Sequence, residues 1–473
     1  MCYPLLSEKL RYFCAVAATF CWFHAPANSQ PAAPLQDWLK QAGIPANQAG
    51  VVVAATDVGG KPLLSLNPQQ AFNPASVMKL YTTYGALELL GAAHTWKTQI
   101  LSNGKLQGGT LQGDAVIRGS GDPSLKLQDV WRLLRELRLA GVKHIAGDWV
   151  LDRSVFADEP LDPYQFDGEG ARPYNVPPDG LLMALSATRL MFKPTDSGWQ
   201  ISADPLPLGW TVQGAVAVTG GACGDWRSKL ALSFKAAPAG GAVQLGGSIA
   251  KACGPQELYR AIAPAQAYGA GLVKTLWAEL GGTHAGGFKS GVAALDAPVL
   301  AELESEPLST VIRDINKRSN NVMARMLYLN LARVPQANRA ASEQRLRAWL
   351  GSAGLNDASL VFDNGSGLSR EERASAAGII KLLQYAYASP LMPEFMSSLA
   401  VVAQDGTVAR RMGPAAGTAH LKTGTLKDSA ALAGYILGAS GKRYVLAGIV
   451  NHPNTGAARA VLDKLVLWVQ QNG

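Results

Sequence analysis

The chain has 473 residues, of which 48% are hydrophobic and 16% charged. That length exceeds one ordinary core and predicts two or three domains, and that balance excludes a disordered chain. The formal charge is +8, yet no compact run of Lys and Arg interleaved with aromatics occurs, so nucleic acid is a poor partner. A basic exported protein suits acidic cell-wall polymers, met by electrostatic steering.

Residues 1–27 read as a secretory signal. Lys9 and Arg11 give a basic start, residues 12–23 carry no charge, and Ala25-Pro26-Ala27 offers small residues ahead of a cut before Asn28. The apolar run is short for a bilayer span; an uncleaved anchor is the competing reading. The expected location is the periplasm. Three of the five cysteines, Cys2, Cys14 and Cys21, fall in this segment. Cys223 and Cys253 remain as an even pair in an exported chain, which predicts a disulfide. Two free buried thiols are the alternative.

Residues 37–42 predict a short helix. A β-rich run at 51–57, a Gly59-Gly60 turn and a return at 62–66 predict a hairpin. The run Asn73-Pro74-Ala75-Ser76-Val77-Met78-Lys79 follows. Asn73 suits a helix cap and Pro74 the first helical position. Ser76 then falls in the first turn, near the positive end of the helix dipole. Lys79, three residues on, shares its face. Tyr81, Leu87, Leu89 and Leu90 carry the helix onward and Gly91 can end it. Ser-x-x-Lys recurs at 102–105 and 248–251, but in a turn and beside a cysteine-containing loop.

Residues 97–262 are rich in Gly, Pro and short β-like runs. They predict a mainly β insertion of one or two domains between two halves of one domain, residues 28–96 and 263–473. Helical periodicity returns at 308–333, and Ser319-Asn320-Asn321 lies at a polar corner between stretches 310–317 and 322–331. An ordinary helix cap is the competing reading there. Lys422-Thr423-Gly424-Thr425 precedes a second hairpin, 431–437 with 443–450, and an amphipathic helix at 457–470. Strands from both ends can therefore share one antiparallel sheet flanked by helices, an α/β (α+β) fold.

Each of the three separated segments meets one need of serine acyl transfer. Ser76 with Lys79 offers a hydroxyl beside an amine, Ser319 with Asn321 a second hydroxyl with an amide, and Lys422-Thr423-Gly424 a cationic strand edge for a carboxylate. In this order they are the signature of penicillin-binding proteins and serine β-lactamases. With Gly121-Asp122-Pro123-Ser124-Leu125, Asp363-Asn364-Gly365-Ser366-Gly367-Leu368-Ser369-Arg370 and the long gap between Ser76 and Ser319, the chain resembles the class C low-molecular-mass penicillin-binding proteins, the D-alanyl-D-alanine carboxypeptidase/endopeptidase family. The resemblance implies a penicillin-recognising transpeptidase-like domain that acts on peptidoglycan stem peptides and is inhibited by β-lactam antibiotics.

It also implies roles. Ser76 would be the acylated nucleophile and Lys79 its base, made less basic by burial and by Lys422. Ser319 and Lys422 would relay a proton to the leaving D-alanine, and Asn321 would hold a substrate amide. Lys422, Thr423 and Thr425 would bind the terminal carboxylate, and Gly424 would allow close approach. Backbone N–H groups of Ser76 and Thr425 would form an oxyanion hole. An acidic residue of the insertion, Asp167 or Glu169, would meet the free amine of the stem peptide's diamino acid. Residues 363–370 read equally as a structural Asx turn or a cleft wall. No metal or redox cofactor is called for, since the six histidines are scattered without His-Glu-x-x-His. Two readings compete: a serine β-lactamase, disfavoured by length, insertion and Asn320 where the class A pattern has Asp, and a noncatalytic β-lactam or muropeptide receptor.

Overall fold

The computed structural model describes residues 34–57, 59–237 and 240–473. The signal-peptide reading of residues 1–27 lies outside them.

The central element is a six-stranded antiparallel sheet. Its strands are β1 (Ala49–Ala55), β2 (Leu64–Leu66), β3 (Ala400–Val401), β4 (Ala419–Leu426), β5 (Ser429–Leu437) and β6 (Arg443–Asn451), in the order β3-β4-β5-β6-β1-β2. The two ends of the chain meet here, with Val51 opposite Gly448. Alternation along each strand sorts the side chains into two cores. Val51, Val53, Ala430, Leu432 and Leu446 face the C-terminal helix Thr455–Asn472, through Val461, Leu465 and Val469. Val52, Ala54, Ala431, Ala433 and Tyr435 face the opposite layer. That layer contains α1 (Lys79–Leu90), α2 (Leu308–Arg318), α3 (Asn321–Asn330) and α4 (Ala376–Ala388). Helices thus cover both faces of the sheet, as the sequence predicts. Helix α1 is buried along nearly its whole length, which explains why its residues show no polar face.

The insertion has two parts. In the first, strands Phe288–Ser290, Trp149–Asp152, Ala115–Arg118, Lys97–Leu101 and Val299–Glu304 form one sheet in that order. Helices Leu127–Leu139 and Ala265–Glu279 pack on it around Trp149 and Trp277, whose rings meet edge to face at 5.7 Å. The sequence reading returns the chain to the catalytic half at 263. The helix and strands after that point instead complete this inserted sheet, with Phe288 paired to Trp149 and Glu304 to Lys97. The chain rejoins the helical layer only at α2. The second part, 188–260, is β-rich and has its own core around Leu190, Phe192, Trp210, Trp226 and Val243. Cys223 and Cys253 are joined there in a disulfide.

Candidate active site

Asn73 prepares the turn that carries Ser76. Its Oδ1 accepts from Ala75 N at 2.9 Å, an Asx turn in place of the expected helix cap, which falls to Pro74 without a side-chain bond, and its own N–H donates to Asn451 Oδ1 at 2.8 Å. Its Nδ2 reaches Ser369 O at 2.9 Å, and its carbonyl accepts from Ser429 Oγ at 2.8 Å. These ties hold Ala75 at φ +47°, a left-handed conformation that costs a non-glycine residue on the order of 1 kcal/mol or more. The helix predicted from Pro74 is therefore interrupted. Residues Ala75–Met78 form a 3-10 turn, and α1 starts at Lys79. The spacing of three still brings the side chains together: Lys79 Nζ donates to Ser76 Oγ at 2.9 Å.

The second segment is a break between helices. Ser319 adopts φ 57°, ψ 39° and ends α2, while Asn320 caps α3 by accepting from Met323 N at 3.1 Å. The reversal sends neighbouring side chains to different amines. Asn321 Oδ1 accepts from Lys79 Nζ at 2.6 Å, and Ser319 Oγ from Lys422 Nζ at 2.9 Å.

The third segment is β4. Lys422 Nζ also donates to Thr423 O at 2.7 Å, and the Thr423 hydroxyl bonds that of Thr407 at 2.7 Å. Gly424 lies against the turn that carries Ser76, where a Cβ would sit 2.6 Å from Pro74 O and 3.0 Å from Ser76 N. Strand β3 pairs only with His420 and Leu421. Among the described residues no strand pairs with the outer edge from Lys422 to Leu426, and Thr425 is exposed on it.

Both amines are fully buried. Burial pushes Lys79 well below the ordinary lysine range, and the Lys422 and Arg325 charges push the same way, while Glu372 opposes them. Burial alone lowers Lys422 to about 7. Two buried lysines of reduced basicity, each bonded to a serine hydroxyl, can accept and return protons near neutral pH. The hydroxyl of the partly buried Ser76 lies beside one of them.

The model of the D-Ala-D-Ala carboxypeptidase 3 (S13) family matches residues 32–472. The chain belongs to that family. Among relatives of this carboxypeptidase, the D-alanyl-D-alanine carboxypeptidase of Actinomadura sp. (strain R39) is 30% identical over 440 residues, covering 89% of this chain and 80% of the relative. DacB of Haemophilus influenzae is 26% identical over 392 residues, 81% of each chain. The crystal structure of penicillin binding protein 4 (dacB) from H. influenzae superposes with a TM-score of 0.75 at 24% identity, over 91% of this chain and 99% of that one. A predatory peptidoglycan endopeptidase from Bdellovibrio bacteriovorus shares the fold at a TM-score of 0.53 and 19% identity, over 90% and 92%. The chain is thus a serine-type D-Ala-D-Ala carboxypeptidase with the transpeptidase-like fold.

The carboxypeptidase brings a fourth segment to Lys79 that sequence reasoning had left open. The loop around 363–372 presents the Ser366 carbonyl to Lys79 Nζ. Asn364 Oδ1 accepts from Ser366 N at 3.0 Å, so the Asx turn is real, and it shapes a cleft wall as well. Glu372, Arg325 and Thr407 also escaped sequence reasoning, because single residues without a motif give no local signal.

Asp167 and Glu169 lie on the inserted stretch between strand Trp149–Asp152 and residue 188. Asp167 accepts from Tyr174 Oη at 2.9 Å, Asn175 Nδ2 at 2.8 Å and Glu169 N at 3.0 Å. Burial opposes its ionisation, but these donors outweigh it and hold the carboxyl below its ordinary range. Glu169 pairs with Arg172 at 3.2 Å. Neither residue lines the cavity of about 520 Å³ beside the site, whose wall includes Asp162, Phe166, Arg325, Asn364 and Arg370. Arg370 lies over the Phe166 ring at 4.6 Å, closing one side of that cavity.

Proposed function

We propose that this carboxypeptidase is exported and trims the terminal D-alanine from peptidoglycan stem peptides through an acyl-enzyme on Ser76, and that it also cleaves D-alanyl cross-links. One observation carries the residue assignment: the buried amines of Lys79 and Lys422 each donate to a serine hydroxyl, Ser76 and Ser319, at 2.9 Å.

The substrate extends along the open edge of β4, in strand-addition style. Its terminal carboxylate lies near Lys422, Thr423 and Thr425. Ser76 Oγ bonds to the carbonyl carbon of the penultimate D-alanine and passes its proton to Lys79 Nζ. The backbone N–H groups of Ser76 and Thr425 hold the oxyanion, and loss of one such donor typically costs on the order of a hundredfold in rate. The C–N bond then breaks, and the departing amine takes a proton from Ser319 Oγ, which Lys422 replaces. Water then adds to the ester carbon and gives up one proton, which restores Lys422; the C–O bond to Ser76 breaks, and Ser76 Oγ takes back its proton from Lys79. A β-lactam enters the same path and stays attached; the H. influenzae relative of the same fold has been seen complexed with a novel β-lactam. Cross-link cleavage is supported by the endopeptidases that share the fold. An acidic side chain of the insertion, Asp167 or Glu169, both exposed, would meet the amine of the diamino acid.

Export rests on the composition of residues 1–27. Among the described residues, no helix is long and apolar enough to cross a membrane. The test offers pentapeptide and cross-linked muropeptides to the protein and to Ser76→Ala and weighs the products by mass spectrometry. Loss of one D-alanine and scission of cross-links, both absent in Ser76→Ala, are expected; full hydrolysis by that variant would overturn the nucleophile assignment.

A further inference from the structure

Glu372 is a fully buried carboxylate outside the three motifs. Its Oε1 accepts from the backbone N–H of Gly365 at 2.7 Å, Asn364 at 3.1 Å and Asp363 at 3.4 Å, and its Oε2 from Gly367 N at 2.7 Å. The loop is thus wound around one side chain. It has no room to move toward the nucleophile: at Gly367, φ +79°, a Cβ would fall 1.9 Å from Ala75 O and 2.6 Å from Ser76 N. A second tether is uncharged, with Thr82 Oγ1 donating to Gly365 O at 2.6 Å. The product of this winding is the Ser366 carbonyl, held against Lys79 Nζ as its third partner beside Ser76 and Asn321.

We infer that Glu372 is a positioning residue for the acylation step: it fixes the Ser366 carbonyl on Lys79, and its negative charge sets how readily Lys79 gives up its proton. The inference rests on Lys79 being the base that serves Ser76. The charged groups that face Lys79 are Lys422 from β4 and Arg325 from α3, which disfavour its proton, and Glu372, which favours it. Around Glu372 itself, burial first and then Asp363 raise its carboxyl to about 7, against the N–H donors of the loop. Above that pH the carboxylate is anionic and retains the Lys79 proton; below it that hold is lost.

The sign of the consequence is fixed. Acylation rises with pH as Lys79 loses its proton, so removing the Glu372 charge moves this acid limb to lower pH. Glu372→Gln also sets an amide N–H against Gly367 N–H, loosens the loop and lowers kcat, on the order of tenfold to a hundredfold for a misplaced carbonyl. Thr82→Val loosens the same loop without changing charge. The experiment measures kcat/KM against pH, with a stem-peptide analogue and with a fluorescent penicillin, for the wild type, Glu372→Gln, Glu372→Asp and Thr82→Val. The expected result is a downward shift of the acid limb in Glu372→Gln alone, with Glu372→Asp keeping the wild-type limb at reduced kcat. A Glu372→Gln limb that coincides with the wild type, or an equal shift in Thr82→Val, overturns the inference. Where Glu372→Gln does not fold, the carbon-13 titration of Glu372 is compared between wild type and Lys79→Met; the coupling is reciprocal, so the Glu372 titration must move upward without the amine, and an unmoved one overturns it. Lys79→Ala separates the two layers: wild-type acylation by that variant removes the base assignment itself, whereas an inactive Lys79→Ala with an unshifted Glu372→Gln removes only the role of Glu372.

Discussion

Ser319 Oγ accepts a hydrogen bond from Lys422 Nζ at 2.9 Å across 103 residues of sequence. The contact joins the break between two helices to a strand edge, and it stands apart from the Lys79–Ser76 bond. The site therefore holds two separate hydroxyl–amine pairs.

Separability makes a first prediction. Ser319→Ala should lower peptide turnover by about a hundredfold or more, the usual scale for a lost proton donor. Acylation by a β-lactam should fall by a smaller factor, because ring strain assists cleavage and the nitrogen stays tethered. Steady-state peptide assays beside the rate of penicillin adduct formation give the comparison. Equal losses would place Ser319 in the acylation step alone.

Gly424→Ala tests the contact between β4 and the nucleophile. A methyl there meets Pro74 O at 2.6 Å and Ser76 N at 3.0 Å, so strand and turn must separate. Turnover should drop on the order of a hundredfold, with a stability cost of about 1–3 kcal/mol for the overpacked site. Unchanged kcat/KM in a well-folded variant would show that the turn has slack.

Lys422 carries a cost to stability that can be read against pH. Burial lowers it to about 7 from the ordinary 10.5, so between those values the unfolded chain binds the proton that the folded chain has lost. Stability from this group rises with pH across that window and is penalised below it. Lys422→Met should abolish turnover yet raise the melting temperature by a few degrees at pH 6–7, through a gain on the order of 1 kcal/mol. That gain should shrink as pH approaches 10. A variant less stable than wild type at pH 6 would contradict it.

The Cys223–Cys253 bond closes a loop across a separation of 30 residues inside the β-rich part of the insertion. Replacing both with serine should cost on the order of 2–4 kcal/mol by freeing the unfolded loop. The catalytic groups lie on other elements, so kcat at 25 °C should hold while a lower thermal transition appears. Loss of peptide turnover at a temperature where the variant is fully folded would tie this part of the insertion to catalysis.

The three motifs were legible because each carries local chemistry: an Asn-Pro turn before Ser76, a polar corner at Ser319, a glycine in a β-rich edge at Gly424. The sheet covered on both faces was legible from the near-continuous apolar runs in 51–57 and 443–450. The end of the insertion was not, because residues 265–304 have ordinary helix and strand patterns and only their partners, Trp149 and Lys97, reveal where they belong. The left-handed Ala75 was equally hidden, since its ties run to Asn451 and Ser429 through Asn73. Glu372 shows the same limit. A glutamate between Glu371 and Arg373 reads as surface charge until the loop that surrounds it is seen.

The unpaired margin of β4 leaves this protein with an adhesive seam beside its site. Sheets normally hide such margins, since any extended chain can stick to them. Here the short companion Ala400–Val401 seals one end, and the buried Lys422 amine sits within the remainder. The same five residues proposed to take a substrate backbone would welcome a stray strand, so aggregation of a partly unfolded copy should begin at this edge and silence the enzyme before the rest of the molecule is lost.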